Sequence, residues 1–308
     1  MKLRANFPLA TVNTFRLGGP ARFYLRTAKS EEAVAAIVSA QALGLPYYLL
    51  AGGSNTVFAD SGFPGLVIHF YQPIPTTEDL VFKNNRVIVS AAMPLMSLVE
   101  ATARRGLSGL EKLSAIPGGV GGAVVGNAGA YGQSIGEVVE WVEIFDGERV
   151  RRLAKTECRF SYRHSGLKDK GWLVLSVGLK LRAGRATTLK AEVARIAKLR
   201  WQKFGRRPVS AGSFFKNVFV SKIKPAVAQR FDQNKIIDGR MPAGYVLGEA
   251  GGQGLSVGGI RVSPFHNNFL LNDGTGTTRD LIKLTTKMKN LVRRKFGIEL
   301  EAEVRVVV

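Results

Sequence analysis

The chain has 308 residues, of which 45% are hydrophobic and 22% are charged, and its formal net charge is +21. The length favours two or three domains with separate cores. Cys158, as the single cysteine, excludes an internal disulfide, and the histidines at 69, 164 and 266 lack metal-ligand spacing, so we expect no metal site. The N-terminus lacks the apolar core of a signal peptide, and no stretch approaches the roughly 20 apolar residues of a membrane span, so we expect a cytoplasmic protein.

The positive charge is concentrated after residue 100. Residues 1–100 contain 8 Lys and Arg against 6 Asp and Glu, whereas residues 101–308 contain 36 against 17, which gives net charges of +2 and +19. Such an excess favours polyanionic partners, either nucleic acid or phosphorylated cofactors and substrates. A basic, solvated surface without a specific partner is the simpler interpretation and accounts for most of the excess charge.

The first third of the chain predicts an α/β or α+β unit. Residues 30–43 predict a helix with Ser30 as its N-cap and Glu31 and Glu32 in its first turn, where acidic residues are favoured. The apolar runs at 45–50 and 65–70 predict buried strands. Residues 73–79, PIPTTED, have the composition of a boundary between domains.

The rest of the chain predicts further strands and helices around a second glycine-rich segment. Its predicted strands are 86–92, 138–145, 172–181 and the final EAEVRVVV, and its predicted helices are 94–105, 187–204, 222–233 and 278–296.

Two glycine-rich segments are candidates for phosphate binding, because backbone N–H groups can converge where no Cβ intervenes. The first is AGGSN at 51–55, after a predicted strand. The second is the uncharged AIPGGVGGAVVGNAGAYG at 115–132, in which seven of eighteen residues are glycine. Neither fits G-x-G-x-x-G and the chain has no Gly-Lys dipeptide, which disfavours a dinucleotide-binding fingerprint and a P-loop. For the first segment, a tight turn without a ligand is the simpler alternative.

Three polar residues stand in contexts that are unusual for a plain surface. Arg163 lies among aromatic residues in RFSYRHS, and a partly buried guanidinium needs a carboxylate or an anionic ligand. Ser213 lies between a glycine and two phenylalanines, and Glu303 alternates with valine in the predicted last strand. Each has an ordinary structural explanation when taken alone, but together they suggest a site.

The order and spacing of these motifs resemble the UDP-N-acetylenolpyruvoylglucosamine reductase family over almost the whole chain. The matching segments are NTFRLGGPA (13–21), LAGGSN (50–55), IPGGVGGAVVGNAGAYG (116–132), FSYRHS (160–165), SAGSFFKN (210–217), PAGYVLGEAG (242–251) and LEAEVR (300–305). The short separation between FSYRHS and SAGSFFKN resembles the branch of the family without an extra loop.

This resemblance implies an α+β fold, with a two-part FAD-binding region of the vanillyl-alcohol-oxidase-like (PCMH) type and a C-terminal α+β substrate-binding domain. The implied boundaries are 1–73 and 74–203 for the two FAD-binding subdomains and 204–308 for the substrate-binding domain, whose terminal strand returns to the active site. In the family the glycine-rich segments lie against the FAD pyrophosphate and admit the flavin. The implied cofactor-binding residues are Gly52, Gly53, Ser54, Asn55, Pro117, Gly118, Gly119, Gly121, Gly122, Ala123, Asn127 and Gly129.

The implied activity is that of UDP-N-acetylmuramate dehydrogenase, with NADPH as the reducing co-substrate and UDP-N-acetylglucosamine enolpyruvate as the substrate. Hydride passes from flavin N5 to C3 of the substrate. Arg163 and Glu303 stabilise the charge that develops on the substrate carboxylate, and Ser213 gives a proton to C2. The implied substrate-binding residues are Tyr162, Lys216, Asn217, Arg206 and Arg207. The resemblance implies neither a specific nucleic-acid partner nor an oligomeric state.

The chain departs from the family pattern at three positions near these motifs. Ala51 stands where many members have glycine, His164 where an acidic residue is usual, and Val218 where proline usually follows the asparagine. None of these changes removes a proposed catalytic residue. His164 is expected to alter the electrostatic field at Arg163, and therefore the rate and its pH dependence rather than the reaction type.

Three other functions compete with this interpretation. Another FAD-dependent oxidoreductase could use the same scaffold, although many of these tether FAD through a histidine or cysteine that both glycine-rich segments lack. A nucleic-acid-binding protein would explain the pI near 10.4, but no recognisable module alternates aromatic and basic residues. A flavoprotein without catalytic activity is disfavoured because Arg163, Ser213 and Glu303 are all present.

Overall fold

A computed structural model of the chain describes residues 2–205 and 208–308. These residues form two compact units. The first unit contains residues 1–7, 21–52 and 64–202, and the second contains residues 8–20, 53–63 and 203–308. The predicted boundaries at 73/74 and 203/204 remain predictions of domain organisation.

The helices, in chain order and within the described residues, are α1 (Ser30–Ala42), α2 (Leu95–Arg104), α3 (Val120–Val125), α4 (Ile135–Val138), α5 (Gly166–Lys170), α6 (Ala186–Phe204), α7 (Pro225–Ala228), α8 (Ala243–Glu249) and α9 (Thr278–Phe296). Short 3-10 helices occur at Leu9–Val12, Thr77–Asp79, Glu111–Leu113, Val220–Lys222 and Gln233–Lys235. Among the described helices, none is both long enough and apolar enough to cross a membrane.

The strands of the same residues are β1 (Leu3–Pro8), β2 (Pro20–Thr27), β3 (Tyr47–Leu50), β4 (Thr56–Phe58), β5 (Phe63–Phe70), β6 (Leu80–Lys83), β7 (Arg86–Ser90), β8 (Leu107–Ser108), β9 (Gly129–Ala130), β10 (Gln133–Ser134), β11 (Val139–Phe145), β12 (Val150–Ala154), β13 (Leu173–Lys180), β14 (Arg182–Ala183), β15 (Val218–Phe219), β16 (Arg240–Met241), β17 (Ser256–Val257), β18 (Ile260–Ser263), β19 (His266–Asn272) and β20 (Arg305–Val307).

The first unit has two sheets that share one hydrophobic core. One sheet has the strand order β1-β2-β5-β3, with β3 parallel to β5, and the other is the five-stranded antiparallel sheet β12-β11-β13-β7-β6. α1 contributes the small side chains of Ala33, Ala36 and Ala40 to the core, and α2 contributes Leu95 and Leu98. Because β3 ends at Leu50, this arrangement positions the start of the first glycine-rich segment.

The second unit has its own core, built mainly from residues after 210. α9 buries one face, including Leu281, Leu284 and Met288, and the three-stranded sheet β17-β18-β19 contributes Ile260 and Leu270. Short segments from early in the chain complete this core, because Phe15, Leu17 and Val57 join the same cluster. β4 pairs in parallel with β20, so residues 56–58 and 305–307 form one small sheet.

Most long elements agree with the sequence predictions, because their apolar periodicity extends over several turns or alternations. The helices predicted at 30–43, 94–105, 187–204 and 278–296 correspond to α1, α2, α6 and α9, and the strands predicted at 86–92, 138–145 and 172–181 correspond to β7, β11 and β13.

Three local predictions were wrong. The helix predicted at 222–233 is reduced to α7, because the Asp232 side chain accepts a hydrogen bond from the Asn234 N–H and begins a separate 3-10 turn. Ser30 is the first helical residue rather than the N-cap of α1, and the Lys29 N–H that precedes it is bound by the Thr27 hydroxyl. The last strand covers only Arg305–Val307, so Glu303 lies before it.

Candidate functional site

The first glycine-rich segment follows β3 and requires glycine at two consecutive positions. A Cβ on Gly52 would lie 2.5 Å from the Gly118 Cα, within the first unit. Gly53, in the second unit, has φ +62, and a Cβ there would lie 2.1 Å from the Val12 carbonyl oxygen. Both distances are far below van der Waals contact with backbone atoms that cannot move aside easily, so larger residues are excluded.

The second glycine-rich segment packs its small residues against the first unit's own backbone. Gly118 has φ +116 and precedes α3. A Cβ on Gly121 would lie 3.0 Å from the Ala91 Cβ, and one on Gly122 would lie 3.1 Å from the Ala51 Cβ. The sequence analysis explained these glycines by the space that a cofactor needs. The structure adds a second reason, the close packing of this segment against Ala91, which follows β7, and against Ala51 of the first glycine-rich segment.

Backbone N–H groups in this part of the first unit are available to a ligand. Within residues 2–205 and 208–308, the N–H groups of Gly52, Gly118, Gly119 and Gly122 donate no hydrogen bond to another residue. Backbone amides in glycine-rich turns bind phosphate oxygens well. The residues present therefore fit the pyrophosphate of FAD, and Pro117 and Ala123 lie in the same segment.

Asn127 connects the second glycine-rich segment to the turn that carries Arg163. Its Nδ2 donates a 2.7 Å hydrogen bond to the Ser161 carbonyl, and its Oδ1 accepts a 3.0 Å hydrogen bond from the Gly136 N–H. Asn127 is buried and has φ +44, a backbone conformation that asparagine tolerates better than most residues. Gly129 begins the β9–β10 hairpin, where a Cβ would lie 2.8 Å from the Gln133 carbonyl oxygen.

Arg163 and Tyr162 occupy the two central positions of a tight turn in the first unit. Ser161 and His164 close this turn with reciprocal backbone hydrogen bonds of 3.0 and 3.2 Å. Arg163 has φ +55, which is uncommon for a residue with a long side chain, and its guanidinium lies 5.4 Å from the centre of the Tyr162 ring. Backbone strain of this kind is often retained at functional sites.

His164 keeps an acidic group close to this turn. Its Nε2 lies 3.2 Å from Oδ2 of Asp169 in α5. His164 replaces the acidic residue expected at this position, but the Asp169 carboxylate of α5 lies beside the histidine ring.

Arg200 is a second cation near Arg163 that the sequence analysis missed. It lies in the last turns of α6, and its Nε donates a 3.3 Å hydrogen bond to the Ala115 carbonyl. Burial lowers the pKa of the Arg200 guanidinium, Tyr131 opposes this change, and the positive charge of Arg163 lowers the pKa further. Two guanidinium groups that repel each other favour an anion between or beside them. The sequence did show that Arg200 lies in a basic helix. It did not show that Arg200, unlike the neighbouring solvated lysines and arginines, is partly buried near Arg163.

Ser213 and Glu303 lie on adjacent backbone segments of the second unit. Residues 214–216 pair with residues 301–303: the Glu303 N–H donates a 2.8 Å hydrogen bond to the Phe214 carbonyl, and the Lys216 N–H donates a 2.9 Å hydrogen bond to the Glu301 carbonyl. Asn55 adds a contact to the same segment, because its Nδ2 donates a 3.1 Å hydrogen bond to the Glu303 carbonyl. Ser54, which precedes Asn55, is half-buried in the second unit.

The predicted substrate-binding residues of the second unit make contacts inside the protein. The Lys216 ammonium forms an ion pair with Glu301, and the Asn217 Oδ1 accepts a 3.2 Å hydrogen bond from the Ala243 N–H at the start of α8. Arg206 and Arg207, which were also predicted to bind substrate, lie outside the described residues. The structure thus brings Ser213, Glu303, Lys216 and Asn217 into one unit and Tyr162 and Arg163 into the other.

Comparisons with known proteins identify both parts of the chain. Residues 22–150 match the FAD binding domain, and residues 202–307 match the C-terminal domain of UDP-N-acetylenolpyruvoylglucosamine reductase. The chain is 39% identical to the UDP-N-acetylenolpyruvoylglucosamine reductase of Solibacter usitatus, with 100% of this chain and 97% of that protein covered. It is 35% identical to the protein of the same name from a Synechococcus species, with 99% and 91% covered.

A solved structure supports the same relationship. The crystal structure of UDP-N-acetylenolpyruvylglucosamine reductase from Thermus caldophilus matches with a TM-score of 0.75 at 30% identity, covering 100% of this chain and 98% of that one. These matches confirm the predicted α+β fold with a PCMH-type FAD-binding region and a C-terminal α+β domain, and they confirm FAD as the cofactor. The chain therefore belongs to the UDP-N-acetylenolpyruvoylglucosamine reductase family of flavin-dependent oxidoreductases.

Proposed function

We propose that this chain catalyses the NADPH-dependent reduction of UDP-N-acetylglucosamine enolpyruvate to UDP-N-acetylmuramate, a step of peptidoglycan precursor synthesis in the cytoplasm. The observation that carries the proposal is the pairing of residues 214–216 with 301–303, which places the segment that follows the proposed proton donor Ser213 beside the proposed acidic residue Glu303 in one unit. Family membership and the name of the full-length relatives support it.

The reaction adds a hydride to C3 and a proton to C2 of the enolpyruvyl group. The hydride would come from N5 of reduced FAD, which the residues of the two glycine-rich segments would hold. The electron pair of the double bond then develops on C2 and is delocalised into the adjacent carboxylate, so positive charge at that carboxylate lowers the barrier. Arg163 is assigned this role, since its guanidinium is always charged and can bind a carboxylate through two parallel hydrogen bonds. Arg200 adds a second positive charge nearby in the same unit.

Ser213 is assigned as the proton donor to C2. A serine hydroxyl is a weak acid, but protonation of a carbanion-like carbon is strongly favourable, so the position of the hydroxyl matters more than its acidity. Glu303 is assigned to the substrate carboxylate together with Arg163, as a protonated or hydrogen-bonding partner. The backbone hydrogen bond between Glu303 and Phe214 limits how far Glu303 can move from the serine segment.

Substrate and cofactor binding are assigned to the remaining predicted residues. The residues assigned to FAD are Gly52, Gly53, Ser54 and Asn55 of the first segment and Pro117, Gly118, Gly119, Gly121, Gly122, Ala123, Asn127 and Gly129 of the second. The available amides of the first unit support this assignment. Lys216 and Asn217, with Arg206 and Arg207, are assigned to the substrate diphosphate, and Tyr162 to the substrate beside Arg163. In this proposal NADPH and the substrate use the same cleft in turn.

An anaerobic titration tests the proposal. The purified protein is reduced with NADPH while the absorbance near 450 nm is followed, and UDP-N-acetylglucosamine enolpyruvate is then added. Bleaching by NADPH and return of the absorbance with substrate are expected, and Ser213→Ala should slow only the second step. A protein that NADPH reduces but that this substrate does not reoxidise would favour another acceptor, and hence another oxidoreductase on the same scaffold.

A further inference from the structure

Asn268 makes three hydrogen bonds to two successive residues of the segment that carries Ser213. Its Oδ1 accepts a 2.8 Å hydrogen bond from the Phe215 N–H, and its Nδ2 donates a 2.8 Å hydrogen bond to the Phe215 carbonyl. Its own carbonyl accepts a 2.9 Å hydrogen bond from the Phe214 N–H. Asn268 lies in β19 and is only 2% exposed, so these bonds are shielded from water.

The side-chain amide of Asn268 replaces a backbone amide in this pairing. Ser213 pairs with Phe269 of β19. The N–H of the following residue, Phe214, donates to the Asn268 backbone carbonyl. Phe215 then pairs with the Asn268 side chain, through both its N–H and its carbonyl. Because an amide carries one acceptor and one donor group, asparagine can satisfy both backbone groups of Phe215 at once.

On its N-terminal side the segment is held by other contacts: the Ser210 N–H donates a 3.1 Å hydrogen bond to the Thr14 carbonyl, and the Gly212 N–H donates a 3.2 Å hydrogen bond to the Ser210 hydroxyl. Gly212 immediately precedes Ser213 and has φ +83, and a Cβ there would have no neighbour within 4 Å. On the C-terminal side of the serine, Asn268 supplies the hydrogen bonds that fix the Phe214 N–H and both backbone groups of Phe215. The opposite edge of the same segment binds the backbone of Glu303 and Glu301. Asn268 thus holds the one short segment to which the Ser213 and Glu303 backbones are both attached.

We propose that Asn268 is a positioning residue that fixes the Ser213 hydroxyl relative to Glu303 for proton delivery to C2. The inference rests on the proposed function, because it needs a proton transfer by Ser213. Asn268 acts through the Phe214–Phe215 backbone rather than on the substrate. A displacement of about 1 Å in a reacting group can reduce a rate about 100-fold, so a buried clamp two residues away has a large kinetic effect.

Asn272 provides a matched control in the same strand. It is also a buried asparagine, 6% exposed, and it makes the same types of side-chain hydrogen bond: Nδ2 donates to the Phe15 carbonyl at 2.9 Å, and Oδ1 accepts from the Gly274 N–H at 2.9 Å. None of these bonds reaches residues 213–216. Asn268→Asp and Asn272→Asp each remove one buried donor, so their effects on stability are comparable while their effects on Ser213 differ.

The experiment measures the two half-reactions by stopped flow with the FAD-loaded protein. For Asn268→Asp we expect reduction by NADPH within about threefold of wild type and reoxidation by the enolpyruvyl substrate about 100-fold slower. Asn272→Asp should leave both rates within about threefold. Should Asn268→Asp fail to fold, Asn268→Gln, which keeps donor and acceptor but shifts them by one methylene, should still slow reoxidation by about tenfold.

A double substitution separates positioning from general damage. If Asn268 acts only through Ser213, adding Asn268→Asp to Ser213→Ala should slow reoxidation little beyond Ser213→Ala alone. Multiplicative losses, equal slowing by Asn268→Asp and Asn272→Asp, or wild-type reoxidation in the Asn268 variants would each overturn the inference while leaving the proposed function intact. A wild-type protein that the substrate cannot reoxidise would remove the proposed function, and the role of Asn268 with it.

Discussion

Asn127 and Ser161 lie 34 residues apart in the chain and are joined by a 2.7 Å hydrogen bond from the Asn127 Nδ2 to the Ser161 carbonyl. This bond ties the second glycine-rich segment to the turn that carries Tyr162 and Arg163. The Asn127 Oδ1 is occupied as well, by the Gly136 N–H, so the side chain bridges three parts of the first unit. The segment assigned to FAD and the residue assigned to the substrate carboxylate therefore share one buried amide.

Replacing Asn127 with aspartate should destabilise the protein. The change removes the donor to the Ser161 carbonyl and places a carboxylate oxygen beside that carbonyl oxygen at a buried position, at a cost of about 1–3 kcal/mol. Aspartate tolerates the positive φ almost as well as asparagine, so the backbone is not the cause. Urea unfolding measures the change. Asn85→Asp is the control, because it removes a 3.2 Å bond to the Leu181 carbonyl at a half-buried position and should cost less. Equal losses in the two variants would contradict the bridging role.

Replacing Gly52 with alanine should reduce FAD binding. The new Cβ would lie 2.5 Å from the Gly118 Cα, so the two glycine-rich segments would have to separate, and overpacking of this kind costs about 1–3 kcal/mol. The ratio of flavin to protein absorbance after purification measures the effect. Gly166→Ala is the control, because its nearest neighbour to a Cβ is 3.6 Å away. Full flavin content in Gly52→Ala would mean that the spacing of the segments does not govern FAD binding.

Acidification should destabilise the protein through His69. The pKa of His69 is lowered from its ordinary value of 6.5 to about 4, mainly by burial and also by the positive charge of Arg26, while the Ala51 backbone opposes the change. The folded state then binds fewer protons than the unfolded state between pH 6.5 and 4, so stability is full above pH 6.5 and falls as the pH decreases through this range. From pH 7 to pH 5 the loss is about 2 kcal/mol from this residue.

The measurement is urea unfolding of wild type and His69→Gln at pH 7 and pH 5. The Tyr24 hydroxyl lies 2.6 Å from the His69 Nδ1, and glutamine keeps an acceptor for it without a titrating group. The variant should lose less stability than wild type over this interval. His266, whose pKa burial also lowers to about 4, should contribute a similar residual loss in both proteins. Parallel losses in wild type and variant would show that His69 does not control the acid side of the stability curve.

The contrast between Ser213 and Asn268 shows what the sequence could and could not predict. Ser213 stands out locally, because a small hydroxyl between a glycine and two phenylalanines is unusual, and its motif resembles a known family. Asn268 lies in HNNFLLN, where nothing distinguishes one asparagine from the next, and its partner Phe215 is 53 residues away. Periodicity likewise predicted α9 from its own residues, but not the membership of Phe15 and Val57 in the same core, because tertiary pairing leaves no local pattern.

Arg163→Gly should separate stability from activity. Arg163 has φ +55, so glycine at this position relieves backbone strain, which is worth about 1 kcal/mol, and it removes a like charge near Arg200. We therefore expect the urea concentration at the midpoint of unfolding to be equal to or higher than that of wild type. Reoxidation of the reduced protein by the enolpyruvyl substrate should nevertheless slow by at least about 100-fold, because the proposed mechanism assigns the Arg163 guanidinium to the substrate carboxylate. Arg163→Lys keeps the charge and the strained backbone but lacks the planar fork of donors, so it should retain wild-type stability and recover only part of the rate.

A less stable Arg163→Gly protein would show that the turn needs the arginine side chain for its own folding, and a fully active one would remove Arg163 from the proposed mechanism.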